Sequence, residues 1–292
     1  MRRLLAAAAL ALGGCDSTPE PPVVVYVPAA MESAVASHLQ SAGLNATLVA
    51  GDSTELTTRV IEKNDSPRAD ILVTDNAVDV WRAGEAGALR PLDDGILADT
   101  PAQLRDPDGT WAALRFRPLL LQLRHDQGLT GLASYADLGN PEWSGKLCLT
   151  TSALPANRAL LGMLIEELGV KPAERVVRRW ARNLAASPHV SQQQLVEAIR
   201  SGECLITIAH PGTWIAGLRL VQPAPLYFDI DGIGVSRHAG HPDRAQSVAA
   251  ELRRRMGAVD QELLPATGGI NASVIGWRDE EARLLAERAG YR

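Results

Sequence analysis

Segments of strand length alternate with segments of helix length in the first third of this 292-residue chain. Residues 23–27 form a β-branched run, and further apolar runs occupy residues 46–50 and 69–74. Helical spacing of apolar residues predicts helices over residues 31–42 and 76–86. Such alternation favours a parallel sheet that carries helices on both faces. The sequence therefore predicts an α/β lobe.

A second α/β unit follows in the middle of the chain. Its predicted strands are 118–123, 146–150 and 204–209, and its predicted helices are 155–168, 172–185 and 192–201. A later strand at 226–230 and the helices after it predict a return to the first unit. We therefore expect a bilobal α/β fold around a ligand cleft, with residues 23–114 and 225–292 in lobe 1 and residues 115–224 in lobe 2.

The N-terminus predicts export. A basic start, Met1-Arg2-Arg3, precedes an apolar run over residues 4–12 that is too short to span a bilayer. Residues 12–15 read Leu-Gly-Gly-Cys and resemble a bacterial lipobox, whose cysteine, here Cys15, becomes lipidated. An ordinary signal peptide with a chance cysteine is the alternative.

Asp16 follows the lipobox and resembles the signal that keeps some lipoproteins at the inner membrane. Residues 16–22 form a polar, proline-rich linker. We therefore expect a signal peptide over residues 1–15 and a monomer in the periplasm, tethered to the inner membrane by its N-terminal lipid.

Composition and motifs exclude several classes of function. A net charge of −5 argues against a nucleic-acid partner, which would require a basic face. The sequence has no phosphate-binding glycine loop, no nucleophile elbow and no cysteine pairs at metal-binding spacing. His238 and His241 could bind a metal, but a solvated loop is favoured. We expect neither an enzyme nor a cofactor.

Cys148 and Cys204 lie in two predicted strands of the same lobe. An oxidising compartment makes a disulfide between them plausible. Burial as two free thiols is the alternative.

Several segments, taken in order, resemble the iron(III)-type periplasmic solute-binding proteins, which are the substrate-binding components of ABC transporters. These segments are 51–53, 66–75, 81–87, 108–111 with Arg115 and Arg117, 134–138, 141–148 and 198–204. They cover most of the mature chain. The resemblance implies a two-lobed protein that delivers a solute to an inner-membrane transporter.

The family's iron ligands do not have obvious counterparts in this chain. Members that hold ferric iron use mostly tyrosinates, with a histidine or carboxylate near the first strand. The corresponding positions here carry Met31, Ala156 (beside Asn157), Gly212 and Thr213. Asp75, with its neighbour Asn76, and His210 remain as possible donors, and so few donors cannot make a tight ferric site.

Loss of the tyrosines predicts a cleft with apolar walls. Met31 and Trp214 would be adaptable apolar contacts, while Asp75, Asn157 or His210 would fix a polar end. The sequence therefore predicts a largely apolar ligand, such as a sterol, a hopanoid or another lipid. In the alternative, Met31 and Trp214 pack in the core and the cleft collapses.

Other interpretations of the cleft remain open. Ferric iron, with or without an anion, is the family's ordinary ligand. Arg115 and Arg117 alternate along a strand and could hold a carboxylate or phosphonate solute, or form an interlobe salt bridge. A periplasmic docking protein with a vestigial cleft is a further possibility.

Overall fold

The computed structural model describes residues 20–63, 66–124, 131–209, 215–257 and 262–292. The signal segment and Cys15 lie outside these residues. The strands are β1 (Val23–Pro28), β2 (Ala46–Gly51), β3 (Ile71–Thr74), β4 (Leu89–Arg90), β5 (Trp111–Pro118), β6 (Leu120–Leu123), β7 (Ile206–Ala209), β8 (Arg219–Val221) and β9 (Phe228–Ser236). The helices are α1 (Glu32–Ser41), α2 (Ser53–Glu62), α3 (Ala77–Glu85), α4 (Asp94–Ala98), α5 (Pro155–Leu168), α6 (Val170–Asn183), α7 (Gln192–Ser201), α8 (Pro242–Met256), α9 (Ser273–Trp277) and α10 (Asp279–Ala289).

The sheet of the first lobe is mixed. Among the described residues, its strand order is β2-β1-β3-β9-β4, and β5 also pairs with β9. Strands β1, β2 and β3 run parallel, as the sequence predicts, while β9 is antiparallel to β3, β4 and β5. The sheet is mixed rather than all-parallel because β9 enters it from the second lobe, in the direction opposite to β3.

Alternate side chains of β1 point to opposite faces of the sheet, where they pack against two different layers of helices. Val23, Val25 and Val27 belong to one buried cluster, which includes residues of α1 and α8. Tyr26 points to the other face and belongs to the cluster that contains residues of α2 and α3. Because successive side chains of a strand point to opposite faces, one apolar run supplies both layers.

The second lobe contains a smaller antiparallel sheet with the order β7-β6-β8. The strand predicted at 146–150 is reduced to isolated bridges, in which Leu147 pairs with Leu184 and Ile206. A disulfide joins Cys148 to Cys204, with their Cα atoms 5.8 Å apart. Both cysteines pack in a small buried cluster with residues of α7.

The chain crosses between the lobes more than once. Only Leu119 separates β5 of the first sheet from β6 of the second, and residues 222–227 lead back from β8 to β9. Helix α9 then packs against both α3 and α5, and α10 packs against α5 and α6. Helix α10 thus lies beside helices of the second lobe, and the assignment of residues 225–292 to lobe 1 stays a prediction.

None of the helices in the described part of the chain is both long and apolar enough to cross a bilayer.

The disulfide is expected to stabilise the second lobe. Its cysteines are 56 residues apart, and closure of a loop of this size is worth about 4 kcal/mol in the chain-entropy treatment. We expect the double variant Cys148→Ser/Cys204→Ser to lose about 2–4 kcal/mol of unfolding free energy, measured by urea denaturation. Reduced wild-type protein should match the variant. Two thiols that react with iodoacetamide in the unreduced, native protein would contradict the bond.

Candidate ligand-binding cleft

A cleft of about 340 Å³ lies between the two lobes. Its lining residues are Asp52, Ser53, Thr54, Asp75, Asn76, Arg117, Leu154, Pro155, Ala156 and Gln192. Seven of these ten residues are polar or charged. A larger depression of about 540 Å³ lies between α4 and α8, on the first lobe alone. The cleft is therefore the stronger candidate site, because both lobes contribute to it and a pocket between domains is a common ligand site.

Four helices begin at this cleft, two from each lobe. Asp52 caps α2 by accepting a hydrogen bond from the amide of Glu55 (3.0 Å), and Asn76 caps α3 through the amide of Asp79 (2.9 Å). On the opposite wall, Pro155 is the first residue of α5 and Gln192 the first of α7. Helix N-termini present unpaired N–H groups and a positive partial charge. Together they make the cleft attractive to an anion.

Arg117 adds a full positive charge at the base of the cleft. Its Nη2 atom donates to the carbonyl oxygen of Asp75 (2.6 Å) and to Oδ2 of Asp229 (2.9 Å). Its Nε atom lies 3.4 Å from Oδ1 of Asp231. The Nη1 atom has no hydrogen-bond partner among the described residues.

The carboxylates beside Arg117 are fully buried on β9. Burial alone would lower the pKa of Arg117, but Asp229 and Asp231 raise it above its ordinary value. Burial also raises the pKa of Asp229, although Arg117 opposes that shift. The guanidinium is therefore permanently charged, and it is the principal cation that compensates Asp229.

Arg115 differs from Arg117 in its position, because it does not line the cleft. It pairs with Asp231 from the neighbouring position on β5, in register with β9. Its side chain is 42% exposed, and it does not line the cleft. The two arginines thus face alternating aspartates of the next strand, and only Arg117 reaches the cleft.

All four tyrosines of the sequence lie within the described residues, and each is at most 1% exposed. These residues are Tyr26, Tyr135, Tyr227 and Tyr291, whose hydroxyls donate to oxygen atoms of Pro67, Leu119, Glu167 and Thr150 respectively. Burial raises the pKa of Tyr135, Tyr227 and Tyr291 above the ordinary value. These phenols stay neutral and serve the core, so none supplies a tyrosinate to the cleft.

Two curated bacterial proteins resemble this chain in sequence. The iron uptake protein A1 of Synechocystis sp. is 28% identical over 187 residues, which are 63% of this chain and 51% of that protein. The Fe(3+)-binding periplasmic protein of Serratia marcescens is 23% identical over 287 residues, which are 91% of this chain and 82% of that protein. The chain thus matches only about half the length of the first relative. No model of a protein family matches the sequence.

Among solved structures, the FutA (IdiA) protein of Trichodesmium in complex with iron and citrate has a TM-score of 0.80 and 22% identity. The similarity covers 93% of this chain and 100% of that one. At this identity it establishes a shared bilobal fold.

The chain thus resembles iron(III)-type periplasmic solute-binding proteins in sequence, and it shares their bilobal fold. The two sequence relatives are named for iron uptake and for Fe(3+) binding. The cleft of this chain combines polar and charged residues with the apolar residues Leu154, Pro155 and Ala156.

The structure brings four of the predicted site residues together at the cleft. These are Asp75, Asn76, Arg117 and Ala156. Met31 is only 3% exposed and packs in the core of the first lobe, as the packing alternative expected. Predicted residues His210, Gly212, Thr213 and Trp214 lie outside the described residues.

Asn157 is buried beside the cleft and holds a loop in place. Its side-chain amide donates to the carbonyl oxygens of Thr150 (3.0 Å) and Thr151 (2.8 Å). These bonds fix the segment that leads into α5, so Asn157 positions the N-terminus of that helix.

Sequence reasoning missed Asp52, Ser53, Thr54 and Gln192 as lining residues. The available signal was that α2 and α3 follow the carboxyl ends of the parallel strands β2 and β3, where ligands of open α/β sheets bind.

Removal of Arg117 should destabilise the protein because it leaves Asp229 buried without its principal cation. We expect Arg117→Met to lose about 3–5 kcal/mol of unfolding free energy, measured by urea denaturation. The matched variant Arg115→Met should lose about 1 kcal/mol or less, since Arg115 is partly exposed and Asp231 keeps Arg117. Adding Asp229→Asn to Arg117→Met should recover part of the loss. Equal losses in the two arginine variants would contradict this assignment.

Proposed function

We propose that this protein captures ferric iron together with a small organic carboxylate, as an anionic chelate, and delivers it to an inner-membrane ABC transporter. One observation carries the proposal: four helix N-termini and Arg117 converge on a cleft to which no tyrosine hydroxyl contributes. Such a site attracts the anion of the complex more strongly than the bare metal ion.

Electrostatics supports an anionic ligand. Each helix N-terminus carries roughly half a positive charge. The guanidinium of Arg117 adds one charge-assisted donor, Nη1, because its other nitrogen atoms face Asp75, Asp229 and Asp231. Asp229 compensates the charge of Arg117, so the four helix N-termini supply the positive potential that opposes the lining acids Asp52 and Asp75.

The donor set also favours iron that arrives already chelated. Fe³⁺ prefers hard oxygen ligands in octahedral geometry, and the lining offers the carboxylates of Asp52 and Asp75. These cannot fill the coordination sphere. A polycarboxylate would supply the remaining oxygens and meet the helix N-termini on its outer side. Binding of iron and citrate by the Trichodesmium FutA protein supports this view.

Capture of a carboxylate or phosphonate without iron is the second candidate function. It is favoured by the same guanidinium, whose Nη1 atom has no bond to a described residue. The two candidate functions assign different effects to the lining carboxylates, Asp52 and Asp75. These carboxylates would bind the metal of a ferric complex, whereas they would repel a carboxylate or phosphonate that carries no metal.

We expect ferric citrate to bind the purified protein with a stoichiometry of one complex per chain, measured by calorimetry and by iron content after desalting. No tyrosinate-to-iron absorption band should appear, because every tyrosine is buried. Arg117→Lys should weaken binding at least about tenfold by losing the Nη1 donor while keeping the charge. Arg115→Lys is the matched control and should bind normally.

Asp75→Asn separates the two candidate functions in the same assay. If the acid binds metal, this variant should bind ferric citrate more weakly and free citrate no worse. Tighter binding of free citrate than of ferric citrate by the wild type would favour the iron-free function. Binding of neutral lipids in place of both would restore the apolar interpretation.

We further propose that the protein is a monomer anchored to the inner membrane by a lipid on Cys15, with residues 16–22 as the linker. The lipobox-like sequence and Asp16 support this location. We also propose that residues 23–114 and 225–278 build lobe 1, while residues 115–224 build lobe 2 together with α10, since α10 packs on α5 and α6. Wild-type protein should fractionate with inner membranes and carry the mass of a lipidated N-terminus. Cys15→Ala should abolish both properties, and an unchanged distribution of that variant would refute the anchor.

A further inference from the structure

A group of potential metal donors surrounds the disulfide of the second lobe, apart from the residues that line the cleft. The Sγ atom of Cys148, a ring nitrogen of His189 and a carboxylate oxygen of Glu203 all lie within 4.8 Å of one another. The Sγ atom of Cys204 is bonded to that of Cys148, so a fourth donor adjoins the group. Cys148 is buried, His189 is half-buried and Glu203 is exposed, which gives an ion a path from solvent.

His189 has a polar atom without a partner at this place. Its Nε2 atom is buried and makes no hydrogen bond within the described part of the chain. A buried imidazole nitrogen without a partner costs free energy, and a metal ion is one of the groups that can satisfy it. This is a second observation, independent of the spacing of the donors.

We propose that the reduced protein binds a zinc-like divalent cation through Cys148, Cys204, His189 and Glu203. Two thiolates, an imidazole and a carboxylate are the ligands that Zn²⁺ takes in tetrahedral sites. The donors are soft or borderline, whereas Fe³⁺ prefers hard oxygen donors, so the site differs in chemistry from the cleft. In the oxidised protein the sulfurs are bonded to each other and offer no thiolate.

Conversion of the disulfide-bonded protein to the metal-binding form needs a reductant, and we take this reductant to be a dithiol. The dithiol gives two electrons and two protons to the Cys148–Cys204 bond, which breaks into two thiols, while the dithiol closes to its own disulfide. Binding of Zn²⁺ then releases both thiol protons to solvent, because thiolates are the ligands. The disulfide and the metal site are therefore mutually exclusive states of the same two sulfurs.

Backbone bonds hold the donors in place without the disulfide. The amide of Cys148 donates to the carbonyl oxygen of Ile206 (2.9 Å), and the amide of His189 donates to that of Leu149 (2.9 Å). The amide of Glu203 donates to the carbonyl oxygen of Ala198 at the end of α7 (3.0 Å). Reduction thus frees the sulfurs while the segments that carry them remain anchored.

The test uses full-length protein, reduced with a dithiol and desalted under anaerobic conditions, with Zn²⁺ and Co²⁺ as probes. We expect one Zn²⁺ per reduced chain in calorimetry and a thiolate-to-cobalt charge-transfer band with Co²⁺. Untreated, oxidised protein should show no cobalt band and should bind Zn²⁺ at least about tenfold more weakly. Zn²⁺ should also raise the melting temperature of the reduced protein alone.

Variants assign the ligands. Cys148→Ser and His189→Gln should each lose the cobalt band or weaken Zn²⁺ binding at least about tenfold. His241→Gln, an exposed histidine of the first lobe, is the matched control and should bind normally. Equal binding by oxidised and reduced protein, or full binding by His189→Gln, would overturn the proposal. So would a reduced protein whose native near-ultraviolet circular dichroism is lost and is not restored by Zn²⁺.

Discussion

The ion pair between Arg117 and the buried carboxylate of Asp229 ties together the parts of the chain on which the cleft depends. Arg117 lies at the end of β5, next to the crossing into the second lobe, and Asp229 lies at the start of the returning strand β9. The same guanidinium holds the carbonyl oxygen of Asp75 at the carboxyl end of β3. One side chain therefore aligns both crossing segments and the floor of the ligand site. It also gives that floor its charge.

The helix N-termini at the cleft follow from how the sheets place their helices. Parallel strands β2 and β3 deliver the N-termini of α2 and α3 to one wall, while α5 and α7 begin on the other. The four tyrosines are instead committed to buried hydrogen bonds, so their hydroxyls do not line the cleft. The cleft thus presents helix N-termini rather than phenol oxygens to a ligand.

Much of the fold could be predicted from residue patterns, because helix spacing and β-branched runs report local structure directly. Predicted helices at 155–168 and 192–201 match α5 and α7. The strand predicted at 146–150 was wrong: Leu147 forms only isolated bridges, to Leu184 and Ile206, which are far away in the sequence. The site was harder to predict. Met31 has the same apolar character in a core as in a cleft, so its sequence position could not decide between them.

The packing of α10 on α5 and α6 has a topological consequence. The chain visits the first lobe, then the second, returns along β9 and α8, and finally ends against the second lobe through α9 and α10. The helices that pack together beside α5 therefore come from two separate stretches of sequence. A fragment cut at the ends of either sheet would expose apolar surface that the other part of the chain normally covers. Exchange of residues 115–224 alone would leave α10 without the helices α5 and α6 on which it packs.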